Sequence, residues 1–269
     1  MSWLVVARKD FEDSIRSRWL VGLTAFFVLL LSAFAYIVRP EPGETASANA
    51  VLQLSGDLFI GTLVPLIALV IAYNAITGER KSGSLKLLLS LPHSRADVVF
   101  GKVAGRSAAL STAIIVGFVL PAVILAVGPF TLDIGAYLGY TVLVALLASV
   151  FVAIAVGWSA AAPSQRIALG GAIGLYFLFV PFWSAIQFRL QMALASLPEW
   201  FPLGAETAGN LLWLSNPSSV YQGLSSVVLA GEFLSGETAD LQLAAISMLL
   251  FWLLAAPLVG LLFFERRDL

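Results

Sequence analysis

The stretch Gly78–Arg106, GERKSGSLKLLLSLPHSRADVVFGKVAGR, is the longest charged interruption between two very apolar runs of the chain. Leu85, Leu88 and Leu89 recur at i, i+3 and i+4, which predicts a short amphipathic helix over residues 84–91 that Pro92 ends. A basic amphipathic helix between two membrane spans either lies in the lipid interface or docks into a groove on a soluble partner. The stretch holds six basic residues: Arg80, Lys81, Lys86, Arg95, Lys102 and Arg106.

The composition is that of an integral membrane protein. Of 269 residues, 59% are hydrophobic and 12% are charged, with a mean hydropathy of +0.94, so the chain has too little polar surface to cover a water-soluble globule. It contains no cysteine and one histidine, His93, which leaves no set of ligands for a metal site. We therefore expect an all-α membrane protein in which residues 1–269 form one transmembrane domain, with no metal.

Uncharged runs locate six membrane spans, because a helix that crosses the hydrocarbon core needs about 20 largely apolar residues. In the fifth span, glycines loosen the start and Pro181 interrupts the helix. The predicted spans are residues 19–38, 58–77, 107–127, 135–158, 167–187 and 242–264.

The distribution of lysine and arginine predicts the orientation, since short cytoplasmic loops retain these residues. With the N-terminus inside, only Arg39 and Arg189 fall outside. The outside loops carry acidic residues instead, among them Glu41, Asp133 and Glu232. Six spans with both termini in the cytoplasm follow, in the cytoplasmic membrane of a cell.

Three flanking segments complete the prediction. Residues 3–18 are read as an interfacial helix that leads at an angle into the first span, the alternative being a merely charged flank. Residues 39–57 form a polar outside loop with no helical or strand period. Residues 189–240 form a long outside loop whose Trp200, Phe201, Trp213 and Tyr221 lie at the membrane interface or cover a dimer exit, unless the loop is an interfacial cap without a binding role.

The chain lacks the residues of an energy source or a hydrolase. It has no G-x-x-x-x-G-K-[ST], and the Gly101-Lys102 pair lacks both the upstream glycine and the following hydroxyl residue. No charged residue lies clearly inside a predicted span, whereas ion-coupled carriers usually bury one there. His93 has no nucleophile or base beside it in the sequence, so we expect no catalytic residue and no enzymatic activity.

Residues 78–102 carry a family resemblance. The run from Glu79 to Arg95, followed by Gly101-Lys102, resembles the loop between the second and third spans of ABC-2 type transporter permeases, with the pattern E-x-x-x-G-[ST]-L-x-x-L-L-[ST]-x-P-[VI]-S-R and then G-K. It departs at His93, where the family more often has an apolar residue. The resemblance covers the whole chain and is strongest to the prokaryotic permeases associated with nitrous oxide reductase maturation and multi-copper-protein assembly.

The resemblance implies a homodimer of permeases that works with two copies of a separate P-loop ATPase, which holds ATP and magnesium. Residues 78–106 would be the cytoplasmic coupling loop, with Gly83 allowing a sharp turn into the coupling helix. Charge-assisted contacts from the basic cluster and the leucine face in a groove would hold the partner. The predicted coupling residues are Glu79, Arg80, Lys81, Gly83, Ser84, Leu85, Leu88, Leu89, Pro92, Arg95 and Lys102.

The substrate path is predicted on span faces along the dimer axis, with Asn74, Trp158, Tyr176 and Gln187 as polar or amphipathic candidates. Asn74 also suits an interhelical hydrogen bond. The bilayer and the ATPase are the expected partners, and nucleic acid is not. The alternatives are a membrane scaffold for metalloenzyme maturation without transport, a self-powered carrier, and a basic loop that simply lies on lipid.

Overall fold

Helices make up most of the computed structural model, which describes residues 2–90, 92–195 and 205–266. A two-residue strand β1 (Ala46–Ser47) pairs in parallel with β2 (Phe130–Thr131). One π-helical turn, Gly56–Ile60, lies within the helical stretch Ala48–Ser82. The α-helices are α1 Ser2–Ile15, α2 Arg18–Ile37, α3 Ala48–Ser55, α4 Gly61–Ala72, α5 Thr77–Ser82, α6 Ser84–Ser90, α7 Arg95–Val127, α8 Ile134–Ala161, α9 Gln165–Phe179, α10 Trp183–Ala195, α11 Ala205–Leu214, α12 Pro217–Ala230 and α13 Ala239–Glu265.

Among the described residues, five helical stretches are long and apolar enough to cross a membrane. A sixth span is present if α9 and α10, which are bent by 56° at the break around Pro181, count as one. The five stretches are Arg18–Ile37, Ala48–Ser82, Arg95–Val127, Ile134–Ala161 and Ala239–Glu265.

Helix α8 is the centre of the bundle. It carries no charged residue and is apolar on every side, the pattern of a helix surrounded by others. Tyr140 and Phe151 are fully buried on it, and α4, α7, α12 and α13 pack around it. Gly157 of α8 and Gly260 of α13 meet so closely that a Cβ on either would collide with the other helix's backbone.

Two segments predicted as outside loops contain helix. The second helical stretch begins at Ala48, inside the loop predicted over 39–57, and Ser47 caps its first turn by accepting a hydrogen bond from Asn49 N. Within the predicted loop 189–240, residues 205–230 contain α11 and α12, with Asn216 as N-cap and Pro217 in the first turn of α12. Both capping residues can be recognised in the sequence, but the many turn-forming residues around them favour a loop.

Two aromatic residues of the segment predicted as an outside loop, Trp213 and Tyr221, pack against other helices of this chain, whereas the sequence predicts them at the membrane interface or over a dimer exit. The Tyr221 hydroxyl donates to the Tyr140 hydroxyl at 3.0 Å, and the Tyr140 hydroxyl donates to Leu52 O at 3.1 Å. Trp213 is half-buried against Gly223 of α12. Trp200 and Phe201 lie outside the described residues.

Candidate coupling site

One end of the bundle collects most of the basic side chains. Here α1, α5, α6 and the first turns of α7 meet the last turns of α8 and α13 and the start of α9. We call this region the basic end of the bundle. It contains every predicted coupling residue, because α5, α6 and the start of α7 span residues 77–106.

The helix leading into this region is interrupted before α5. Helix α4 ends at Ala72, and the chain turns over residues 73–76 before α5 begins. The Ser159 hydroxyl of α8 accepts hydrogen bonds from Ile76 N at 3.1 Å and Thr77 N at 3.3 Å, both buried. These two donors would otherwise be buried without a partner, so Ser159 stabilises the break.

The three charged residues of α5 each bind a different element. Glu79 Oε1 lies 2.6 Å from Lys102 Nζ of α7. Arg80 donates to Ala162 O at 3.0 Å, just after α8, and its guanidinium lies 5.6 Å from the ring centre of Phe264 in α13. Lys81 donates to Gln165 Oε1 of α9 at 3.4 Å. Helix α5 is therefore tied directly to the ends of four other helices.

Four charged residues form a partly buried charge cluster, which we define as Asp10, Glu79, Lys102 and Arg106. Asp10 of α1 accepts from Lys102 Nζ and from Arg106 Nε, each at 3.2 Å. The Lys102 side chain is only 4% exposed, so its two carboxylate partners replace the water that it has lost. The charge cluster joins α1, α5 and α7 at a single point.

Arg106 also binds the end of α4. Its Nη1 donates to Ile71 O at 2.5 Å, one of the carbonyls that the break after Ala72 leaves without a helical partner. The break is thus held from both sides, by Ser159 of α8 and by Arg106 of α7.

Helix α1 reaches the charge cluster because two glycines of α7 let it approach. Gly101 and Gly105 lie on one face of α7, where added Cβ atoms would press on Val6 and on Ala7 O. The Gly101-Lys102 pair thus has a structural use, in that Gly101 admits α1 and Lys102 binds Asp10 of α1. By contrast, the Arg8–Glu12 pair, 2.8 Å apart within α1, is exposed to solvent and contributes little.

The face of α6 that carries Leu85, Leu88 and Leu89 packs against the core of the same chain, whereas the sequence predicts that it binds a partner. Leu85 is 1% exposed, and Leu88 and Leu89 are half-buried against the core. Leu87 is 72% exposed instead, flanked by the exposed Lys86. The sequence pattern could not separate the two faces because leucines occur on both.

Helix α6 lies between a glycine turn and the capping box of α7. Gly83 has φ +77°, in the left-handed region that glycine favours, and its N–H donates to Arg80 O at 3.3 Å. Ser84 Oγ lies within 3.4 Å of Glu79 O. After α6, the exposed Pro92 leads to the Ser94–Asp97 capping box that starts α7.

Arg95 joins the start of α7 to α13. Its guanidinium donates to Phe264 O and lies 5.0 Å from the centre of the Phe264 ring, which is fully buried. Arg80 stacks on the same ring. Phe264 is thus a shared anchor of α5, α7 and α13 that the sequence pattern did not single out.

The four predicted substrate-path residues lie in different places. Asn74 lines a cavity of about 570 Å³ beside the charge cluster. Trp158 packs on Gly171 and donates to Ile167 O at 3.3 Å, which makes it a contact between α8 and α9. Tyr176 on α9 and Gln187 on α10 are half-buried on either side of the 56° bend. No group of three or more metal-ligating side chains occurs in the described part of the chain.

Comparisons with known proteins point to one family. Residues 4–269 match the family described as ABC-2 family transporter protein. The chain is 29% identical over 279 residues to the probable ABC transporter permease protein NosY of Stutzerimonas stutzeri, covering 97% of each chain. It is 35% identical over 180 residues to the probable ABC transporter permease protein NosY of Pseudomonas aeruginosa, covering 65% of this chain and 66% of that protein.

Proposed function

The chain belongs to the ABC-2 transporter family and is the membrane permease subunit of an ABC transporter, and on that premise we propose that α5 and α6 are the segment through which its ATPase subunit moves the spans. Family membership implies the ATPase partner. The position of the coupling segment, the partner-facing residues and the quaternary structure are the proposed parts.

The observation that carries the proposal is the set of contacts made by α5. Glu79, Arg80 and Lys81 bind α7, the end of α8 with α13, and α9. A rigid helix with such attachments cannot move without displacing the ends of several spans. Movement of a docked element is one of the established ways in which a small displacement alters the packing of whole helices.

The docking surface consists of the exposed side of α5 and α6. Leu87 provides an apolar anchor, and Lys81 and Lys86 place positive charge next to it. A groove with an apolar floor and an acidic rim on the ATPase would fit this pattern. Glu79, Leu85 and Lys102 then act from inside the permease by positioning the segment.

The proposed assembly contains two copies of the permease and a separate ATPase. The permease works as a homodimer in the cytoplasmic membrane, with six spans and both termini in the cytoplasm, since the basic residues cluster at one end of the bundle. ATP, magnesium and ATP hydrolysis belong to the partner, because this chain has no phosphate-binding loop in its sequence. The substrate passes between the two copies, with Tyr176 and Gln187 of α9 and α10 as contacts and Asn74 and Trp158 nearer the basic end.

A scaffold without transport, the alternative of another class, is not favoured by membership in a transporter family. It predicts that the ATPase would bind but that its turnover would not respond to any transported solute.

The test compares Leu87→Asp with Leu234→Asp in the full chain purified with its partner. Both leucines are exposed, at 72% and 45%, but only Leu87 lies on the proposed docking surface. We expect Leu87→Asp to lose the ATPase in a detergent pull-down while its melting temperature stays near that of the wild type. Leu234→Asp should retain the ATPase. Equal recovery of the ATPase by both variants would remove α6 from the docking surface.

A further inference from the structure

A cationic cavity of about 560 Å³ opens at the basic end, between the break after α4 and the turn from α8 to α9. Three of its lining residues are cations, Arg80, Lys81 and Arg166, and no aspartate or glutamate is among the described residues that line it. The neighbouring cavity beside the charge cluster differs, since Asp10, Asp13 and Glu79 there offset Lys102 and Arg106. Of these two cavities, the cationic cavity is the one whose charged lining residues all have the same sign.

Two of the three cations of the cationic cavity, Arg80 and Lys81, bind other parts of the chain. Arg80 is fixed by Ala162 O and the Phe264 ring, and Lys81 by Gln165. Arg166 is exposed in the first turn of α9, a helix of 15 residues whose N-terminus adds a partial positive charge. Hydroxyl groups of Tyr73 and Ser164 also line the cavity and can donate hydrogen bonds.

An exposed apolar track leads away from the cationic cavity along α9. It consists of Leu169, Ile173 and Phe177, which are spaced by four residues and are 43%, 50% and 43% exposed. Leu169 itself lines the cavity, so the track begins at its wall. The track is about 12 Å long at 1.5 Å per residue, enough to accompany a good part of one acyl chain.

We propose that the cationic cavity binds the phosphate headgroup of an anionic phospholipid, whose acyl chain lies along the apolar track. Basic pockets between membrane helices bind anionic lipid headgroups at the membrane surface. A soluble protein could meet the cations but could not follow Leu169, Ile173 and Phe177 into the hydrocarbon region. The continuity of charge and apolar surface therefore favours a lipid over a segment of the ATPase.

The site has a structural consequence for this permease. A headgroup bound by Lys81 of α5 and Arg166 of α9 would bridge the same two helices that the Lys81–Gln165 hydrogen bond joins. We expect the lipid to stiffen the attachment of α5 to α9. Lys81 also borders the docking surface proposed above, whereas Arg166 lies outside that surface, so Arg166 tests lipid binding separately from ATPase binding.

The experiment titrates dioleoyl-phosphatidylglycerol into the detergent-purified permease with its partner and counts bound lipid by native mass spectrometry. Lys81→Gln with Arg166→Gln is the test variant, and Lys9→Gln with Arg16→Gln, two exposed cations of the same region, is the control with the same change in net charge. We expect about thirtyfold weaker binding in the test variant and wild-type binding in the control, given about 1 kcal/mol per basic residue near an anionic surface.

Three further arms separate the possible occupants. Arg166→Gln alone, which leaves α5 and α6 intact, should weaken phosphatidylglycerol binding about fivefold and leave ATPase recovery unchanged. Dioleoyl-phosphatidylcholine should bind more weakly than phosphatidylglycerol, and millimolar inorganic phosphate should not displace the lipid. Displacement by phosphate would make the site one for a free anion and overturn the proposal. Unchanged lipid binding in the test variant, with or without loss of the ATPase, would overturn it too.

Discussion

Lys102 shows at the scale of one residue how the basic end is built. Among the described residues it is the one charged side chain that is buried, and Asp10 and Glu79 share its charge. An ammonium group transferred from water into a helical bundle without such partners would cost several kcal/mol. The family resemblance implies that Lys102 takes part in coupling to the ATPase, whereas in the fold it links α1, α5 and α7.

Replacing Lys102 by methionine should destabilise the protein strongly. The change keeps the unbranched shape of the side chain, one atom shorter, but leaves Glu79 without a cation and Asp10 with Arg106 alone. We expect a loss of about 3 kcal/mol in the free energy of unfolding, toward the low end for breaking a buried pair because Glu79 retains 24% exposure. The measurement is thermal unfolding in detergent, followed by tryptophan fluorescence.

Arg8→Met is the matched control for this prediction. It removes an exposed ion pair from α1, which water and salt screen, so the melting temperature should stay near that of the wild type. If Lys102→Met unfolded at the same temperature as Arg8→Met, the charge cluster would have no stabilising role.

At the scale of elements, the position of α1 is decided by α7. Gly101 and Gly105 allow the backbone of α1 to lie directly on α7, so that Asp10 reaches Lys102 and Arg106. The amphipathic pattern of residues 3–18 predicts a helix in the membrane interface but does not indicate which helix it packs on. That choice depends on two residues without side chains, far from α1 in the sequence.

Gly105→Ala tests this packing. The added methyl group would lie 2.6 Å from Ala7 O and 2.9 Å from Asp10 Cβ, so α1 has to move away and the two salt bridges of Asp10 must lengthen. We expect a loss of about 1–3 kcal/mol, as for other cases of overpacking, with a lower melting temperature.

Gly22→Ala provides the comparison for Gly105→Ala. Gly22 lies in α2 with no atom near its missing Cβ, so alanine should stabilise that helix by up to about 1 kcal/mol. A neutral Gly105→Ala would mean that α1 packs elsewhere on the bundle.

For the whole molecule, the orientation in the membrane follows from charge. The basic end should face the cytoplasm, and α12 with the turn after it should lie on the other side. The sequence contains no cysteine, so single cysteines report their side of the membrane without background.

Ser82→Cys and Ser235→Cys test the orientation. Both positions are exposed, one at the end of α5 and the other after α12. In intact cells, a membrane-impermeant maleimide should label Ser235→Cys, and it should label Ser82→Cys only after permeabilisation. The reverse pattern would invert the proposed topology.

The sequence alone determined the class of the protein, the apolar stretches and the family. A long uncharged run that crosses a membrane is expected to be a helix. The hydrocarbon core offers no water, and a helix pairs every backbone N–H and C=O group within its own segment. The pattern from Glu79 to Arg95 indicated the ABC-2 transporter permeases, and the match over residues 4–269 confirms that family. These properties depend on composition and local spacing, which a single sequence displays.

Which side chains face inward at the basic end depends on how the helices pack. Leu85 and Leu87 look alike in the sequence, yet one is 1% and the other 72% exposed. Ser159 and Phe264 carry no local signal of their roles, since each acts on segments far away in the chain. Such roles arise from contacts between residues tens to more than a hundred positions apart, so they exist only once the helices have packed.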